Sequence, residues 1–151
     1  MKDFAAQYEA ATTYVADIIA SLTPADLDRR QEGGWSPRQV IHHLADSEAQ
    51  SYARLRRLIA EPEGTLIQGY DEAAWASNEI LGYTELPVEN SIAVLLAVRA
   101  ASLAIVKRLQ ESDLSRAGVH SESGEFTIAK WLKGYTNHPR DHGNQIKEAL
   151  A

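Results

Sequence analysis

The stretch "NHPRDHGNQI", residues 137 to 146, carries two histidines four positions apart, His138 and His142, with a proline directly after the first. Side chains at i and i+4 share one face of a helix. Two imidazoles in this spacing can therefore aim at one divalent ion. The pair lacks the glutamate of an H-E-x-x-H arrangement, so the spacing suits two buried, hydrogen-bonded histidines equally. A third ligand would raise the metal reading, and "HHLADSE", residues 42 to 48, offers two candidates. A helix advances about 100° per residue, and the apolar stripe here centres near Leu44. His43 lies at the border of that stripe, whereas His42 points nearly opposite, towards solvent. His43 is thus placed to reach an interior, either as a ligand or as a boundary histidine making a backbone contact.

Other chemistry is scarce. The chain has no cysteine, which removes thiolate ligands, disulfides and cysteine nucleophiles. No serine sits in a nucleophile-elbow motif, so a nucleophile must come from outside the protein. Asp46, Glu48 and Asp141 are candidates, by proximity, to orient imidazoles through their second ring nitrogens or to take part in catalysis. Each reads equally as a solvated helix carboxylate. His120 and Glu122 stand in the loop before the last helix, where they line the mouth of a site or simply decorate a surface. Trp35, Tyr70, Trp75 and Trp131 read as packing residues.

The elements that must position these groups are helical. Phe4, Tyr8, Ala11, Val15, Ile18 and Leu22 recur at three- and four-residue steps. Thr23 and Pro24 signal the start of a short helix at "TPADLDRR". Ser36 followed by Pro37 opens a long second helix through "AE" at residues 60 and 61. "EPEGTLIQGY" reads as a loop, and "DEAAWASNEI" as a short helix capped by Asp71. A third long helix, the most apolar, carries Ile92, Leu95, Leu96, Leu103, Val106 and Leu109. The last runs from about Thr127 to the end, with Ile128, Trp131, Leu132, Tyr135, His138, His142, Gln145 and Ile146 on one face. Inside it, Pro139 cannot donate to the carbonyl of Tyr135, so the helix should bend between the two histidines or break earlier. Strand signals are weak. The expected fold is all-α: a single four-helix bundle over residues 1–151, with short extra helices and a long connection between the second and third long helices.

Composition narrows the partners. The 151 residues carry 15 Lys and Arg against 21 Asp and Glu, a net charge of −6, which argues against nucleic acid as the main partner. No apolar run approaches about 20 residues, so no membrane span is expected. The N-terminus lacks an apolar signal core, so a cytoplasmic protein is expected.

Taken in order, "WSPRQVIHHLADSE", "YDEAAWA" and "NHPRDHGNQI" resemble the DinB/YfiT-like family of small four-helix proteins, over roughly residues 30 to 150. The resemblance implies a divalent metal on three histidines. They are the histidine before the Leu of "HHLADS", His43, and the pair before "Q-I", His138 and His142. Members of the family often carry histidine where this chain has Glu48, and another beside the final ligand where it has Asp141. Three neutral imidazoles leave the ion its charge and open positions, which is a catalytic pattern. Zinc or nickel suits such ligation, with iron or manganese also accommodated. The resemblance implies metal-dependent hydrolysis, or transfer using a low-molecular-weight thiol as cosubstrate, on a small-molecule substrate. A non-catalytic bundle that binds metal or a small ligand is the alternative, and a metal-free bundle acting by protein contact is a third. The resemblance and the apolar third helix together favour a homodimer, although burial in a monomer core explains that helix equally well.

Overall fold

The computed structural model describes residues 2 to 151; Met1, first in the segment read for a signal core, lies outside them. Four long helices form the body: α1 (Lys2–Ala20), α2 (Pro37–Ala60), α4 (Glu89–Val106) and α5 (Ile128–Leu150), with a short α3 (Glu72–Ser77) in the long connection. Two apolar clusters hold them together. The first includes Tyr8, Leu55, Leu58, Val106, Trp131 and Leu132. The second includes Val15, Ile18, Val40, Leu44, Leu95 and Ile146. Their order along the chain fixes direction. α1 and α5 run from the first cluster to the second, whereas α2 and α4 both run from the second to the first. The neighbouring helices α2 and α4 are therefore parallel, and the connection between them must cross the length of the bundle.

Between the clusters lies a polar waist. Arg99 of α4 is 1% exposed and Glu48 of α2 is fully buried, with Arg99 Nη1 and Glu48 Oε1 2.6 Å apart. Arg99 also donates to Thr12 Oγ1 at 2.6 Å, to the Tyr8 carbonyl at 3.1 Å and to the Tyr135 carbonyl at 3.0 Å. Ser51 donates to the other Glu48 oxygen at 2.9 Å. One guanidinium thus touches all four long helices. Buried charge is tolerated only when it is paired and hydrogen-bonded in this way.

Three features depart from the sequence reading. Residues 24 to 28 form turns and no helix. The Asp26 carboxylate accepts from both the amide and the hydroxyl of Thr23, at 2.9 and 2.7 Å, which spends the cap on a local turn. A small three-stranded sheet is present: β1 (Leu66–Ile67) pairs in parallel with β2 (Ala117–His120), which pairs antiparallel with β3 (Gly124–Thr127). Strands of two to four residues carry too little period-two signal to read. Finally, α5 does not break before or at Pro139 but is helical without interruption through it.

By length and composition α4 is apolar enough to cross a membrane, at 18 residues and mean hydropathy 1.6. Its Leu95, Arg99, Ser102 and Val106 are buried, while Val94 and Leu96 are exposed.

Candidate metal centre

Local signals set the register of both histidine-bearing helices. Ser36 caps α2 with a reciprocal capping box: its hydroxyl accepts from the Gln39 amide, and the Gln39 side chain accepts from the Ser36 amide. Pro37 is preorganised at the first helical position. Thr127, the last residue of β3, caps α5 by accepting from the Lys130 amide at 3.1 Å. The hairpin therefore delivers the chain directly into α5. At the other end, Gly143 lets α1 approach: an added Cβ would lie 2.9 Å from the Tyr14 ring.

His43, His138 and His142 meet at one point, with their ligating atoms all within 4.8 Å of one another. His138 Nε2 lies 3.2 Å from His43 Nε2 and 3.1 Å from His142 Nε2. A neutral ring nitrogen has either one hydrogen or one lone pair. His138 Nε2 can therefore satisfy at most one of these two contacts by hydrogen bonding. A cation satisfies all three nitrogens. An ion about 2.0–2.1 Å from each, in tetrahedral arrangement, would set them about 3.3 Å apart, so the residues present fit a divalent metal.

Burial keeps the imidazoles neutral. It pushes His43 down to about 4, helped by His142. It pushes His138 lower still, with His142, His43 and Arg99 adding to the effect. His142 is lowered by burial too, opposed by Gln145, Glu72 and Asp141. Gln145 Oε1 accepts from His142 Nδ1 at 2.7 Å. This puts the proton on Nδ1 and leaves the Nε2 lone pair facing the cluster. Among the described residues, Nδ1 of His43 and of His138 is buried with no partner. The Trp35 ring stands edge-on to His43, 5.3 Å between centroids.

The carboxylates read from sequence lie elsewhere. Glu48 is committed to Arg99 and Ser51; burial raises its carboxyl more than those partners lower it. Asp46 accepts from the Tyr83 hydroxyl. Asp141 is exposed and reaches His142 only through space. Among the described residues, none of the three hydrogen-bonds an imidazole of the cluster. His42 corrects another expectation. It is buried, 6% exposed, with Nδ1 2.8 Å from Ser91 Oγ and Nε2 3.1 Å from the Leu86 carbonyl. The helix-angle argument placed it away from the cluster, but the face it occupies is covered by α4 and the long crossover.

A cavity of about 210 Å³ opens beside His138, walled by Ser47, Arg54, Tyr70, Tyr135 and Phe126, with Glu72 and Lys130 at its edge. His120 and Glu122 do not line it. His120 stacks obliquely on Phe126 and accepts from the Glu122 amide at 3.3 Å. A larger cavity of about 620 Å³ lies behind Trp35 and Gln39 and touches none of the three imidazoles. Sequence reasoning missed Gln145 as a partner for His142, although its i+3 spacing was a signal. It missed Glu72 and Arg54 as site residues because only tertiary structure brings them near.

Comparison with known proteins places this geometry in context. The profile of the DinB superfamily matches residues 7–146. A protein of Oceanobacillus iheyensis provisionally named a metal-dependent hydrolase is 38% identical over 127 residues, covering 83% of this chain and 72% of its own length. A second from the same organism, named in the same way, is 32% identical over 146 residues, covering 96% and 82%. Among solved structures, YfiT from Bacillus subtilis is a provisionally assigned metal-dependent hydrolase with an unusual four-helix bundle topology. It superposes with a TM-score of 0.86 at 27% identity, covering 98% of this chain and 84% of its own. TT2238, a four-helix bundle protein, superposes at 0.67 and 22% identity over 97% of each chain, which bears on the fold alone.

Proposed function

Because the chain belongs to the DinB superfamily, we propose that it is a metal-dependent hydrolase of a small molecule, with His43, His138 and His142 holding one divalent ion. The observation that carries this reading is the convergence of three neutral Nε2 atoms on one point, in a number and geometry that mutual hydrogen bonding cannot satisfy. Zinc or nickel suits an all-imidazole set best. Bound there, such an ion supplies Lewis acidity to activate an external nucleophile and polarise the substrate.

The protein's own residues do the rest. The capping box at Ser36 and the Thr127 cap hold the two helices in register, so the imidazoles need no rearrangement. Gln145 fixes the His142 tautomer. Trp35 packs edge-on against His43, and the cavity beside His138 receives the substrate. Without cysteine or a serine elbow, the nucleophile is water or a low-molecular-weight thiol. Turnover assays separate these. A hydrolase converts ester or amide panels with zinc or nickel alone. A transferase stays silent until a thiol is added and then saturates in thiol. Turnover that persists after complete metal removal contradicts both.

A further inference from the structure

The cavity beside His138 has a second chemical feature besides the histidine. Arg54 reaches its wall from α2, about three turns beyond His43. Its Nη1 donates to the Tyr135 hydroxyl at 2.8 Å and its Nη2 to the Gln68 carbonyl at 2.8 Å. Its Nε is buried without a partner among the described residues. Among the described residues no carboxylate pairs with it. Of the other half-buried arginines of the long helices, Arg38 has Asp28 and Arg56 lies over the Tyr52 ring, and the fully buried Arg99 has Glu48. Arg54 is thus held rigidly by two neutral acceptors, with N–H groups left over. A guanidinium positioned this way is suited to a planar oxyanion.

The rest of the wall agrees. The rings of Tyr70, Tyr135 and Phe126 supply flat apolar surface. The Tyr70 hydroxyl faces Ser47 but completes no hydrogen bond. Burial raises it above the usual phenol range, so it remains a donor at neutral pH. Of the two lining cations, Lys130 is paired with Glu125 at 3.7 Å, which leaves Arg54 without a carboxylate, and one guanidinium matches a monoanion better than a phosphate dianion. A volume of about 210 Å³, some seven water volumes at about 30 Å³ each, matches a small molecule.

We infer that this cavity selects a small organic carboxylate, its anion on Arg54 and its flat apolar body against Tyr70 and Tyr135, with the opposite end directed at His138. The inference names the substrate class of the proposed enzyme and rests on that reading for the chemistry, though the binding itself does not depend on metal.

Benzoate and its neutral isostere benzamide are the probes, titrated by calorimetry into chelator-treated and zinc-loaded protein. Metal-free protein should bind benzoate at least tenfold more tightly than benzamide. Arg54→Gln should abolish that preference. Gly134 lines the same cavity with nothing within 4 Å of an added Cβ. Gly134→Leu should therefore raise the melting temperature, by better helix propensity, while abolishing benzoate binding. That separates loss of the site from loss of the fold. Equal affinity for the two probes, absence of benzoate binding, or a preference unchanged in Arg54→Gln overturns the inference. Zinc that fails to bind while benzoate still depends on Arg54 overturns the metal reading and leaves the carboxylate site standing.

Discussion

Arg99 donates a hydrogen bond of 3.0 Å to the carbonyl of Tyr135, the carbonyl that Pro139, lacking an N–H, leaves without its helical partner. A proline inside a helix normally costs about 3 kcal/mol or more, partly through that orphaned acceptor. Here a guanidinium from α4 replaces the missing donor, and α5 continues through the proline to carry both His138 and His142. The waist ion pair and the geometry of the candidate metal centre are therefore one structure.

Removing Arg99 should be severe. Arg99→Leu leaves Glu48 buried without its partner, and we expect a loss of about 3–5 kcal/mol in urea unfolding. Pro139→Ala restores an N–H for Tyr135. The penalty of Arg99→Leu should shrink by about 1 kcal/mol in that background. Strictly additive losses would show that the carbonyl contact is incidental.

Acid should destabilise the metal-free protein earlier than carboxylate titration alone would. In the unfolded chain these imidazoles titrate near 6.5, whereas His43 in the fold is held near 4 and His138 lower. Between those values the unfolded state binds more protons. Stability is therefore full above pH 6.5 and falls as pH drops through 6.5 towards 4. Urea midpoints measured with chelator at pH 7.5, 6 and 5 should decline steadily, and less steeply in His138→Gln. A flat profile would mean that the cluster is not buried as described.

The bundle's helical period was legible in the sequence because α1, α2 and α5 each bury one continuous stripe. Ser36–Pro37 and Thr127 marked the helix starts that set the register of His43 and His138. What stayed hidden was tertiary. His42 looks solvent-facing on an isolated helix and becomes buried only once the crossover lies over it. Glu48 looks like a surface carboxylate until Arg99, 51 residues away, is found beside it. The sheet was unreadable because its strands are two to four residues long, and the donor that accompanies an unbroken α5 at Pro139 was hidden because it lies on another helix.

Gln145 offers a test of tautomer control. Gln145→Leu keeps the volume on α5 but removes the acceptor for His142 Nδ1. Metal affinity should fall about 10- to 100-fold, read by competition with a chromophoric chelator, with little change in the unfolding of the metal-free protein. Unchanged affinity would assign Gln145 to packing alone.

Metal should staple α2 to α5. An ion that binds only the folded state adds about 2.7 kcal/mol at a hundredfold excess over its dissociation constant. The melting temperature should therefore rise with zinc and return with chelator. No shift despite confirmed binding would mean that the unfolded chain holds the ion equally well.

The most direct measurement is metal content by elemental analysis after equilibration with zinc and gel filtration, comparing wild type with His43→Ala, His138→Ala, His142→Ala and His42→Ala. We predict about one equivalent in the wild type, near-complete loss in each of the first three, and retention in His42→Ala, whose ring bonds Ser91 and Leu86 outside the cluster. Stoichiometric zinc in any of the first three variants, or a wild type that retains none, would contradict a tri-histidine metal centre.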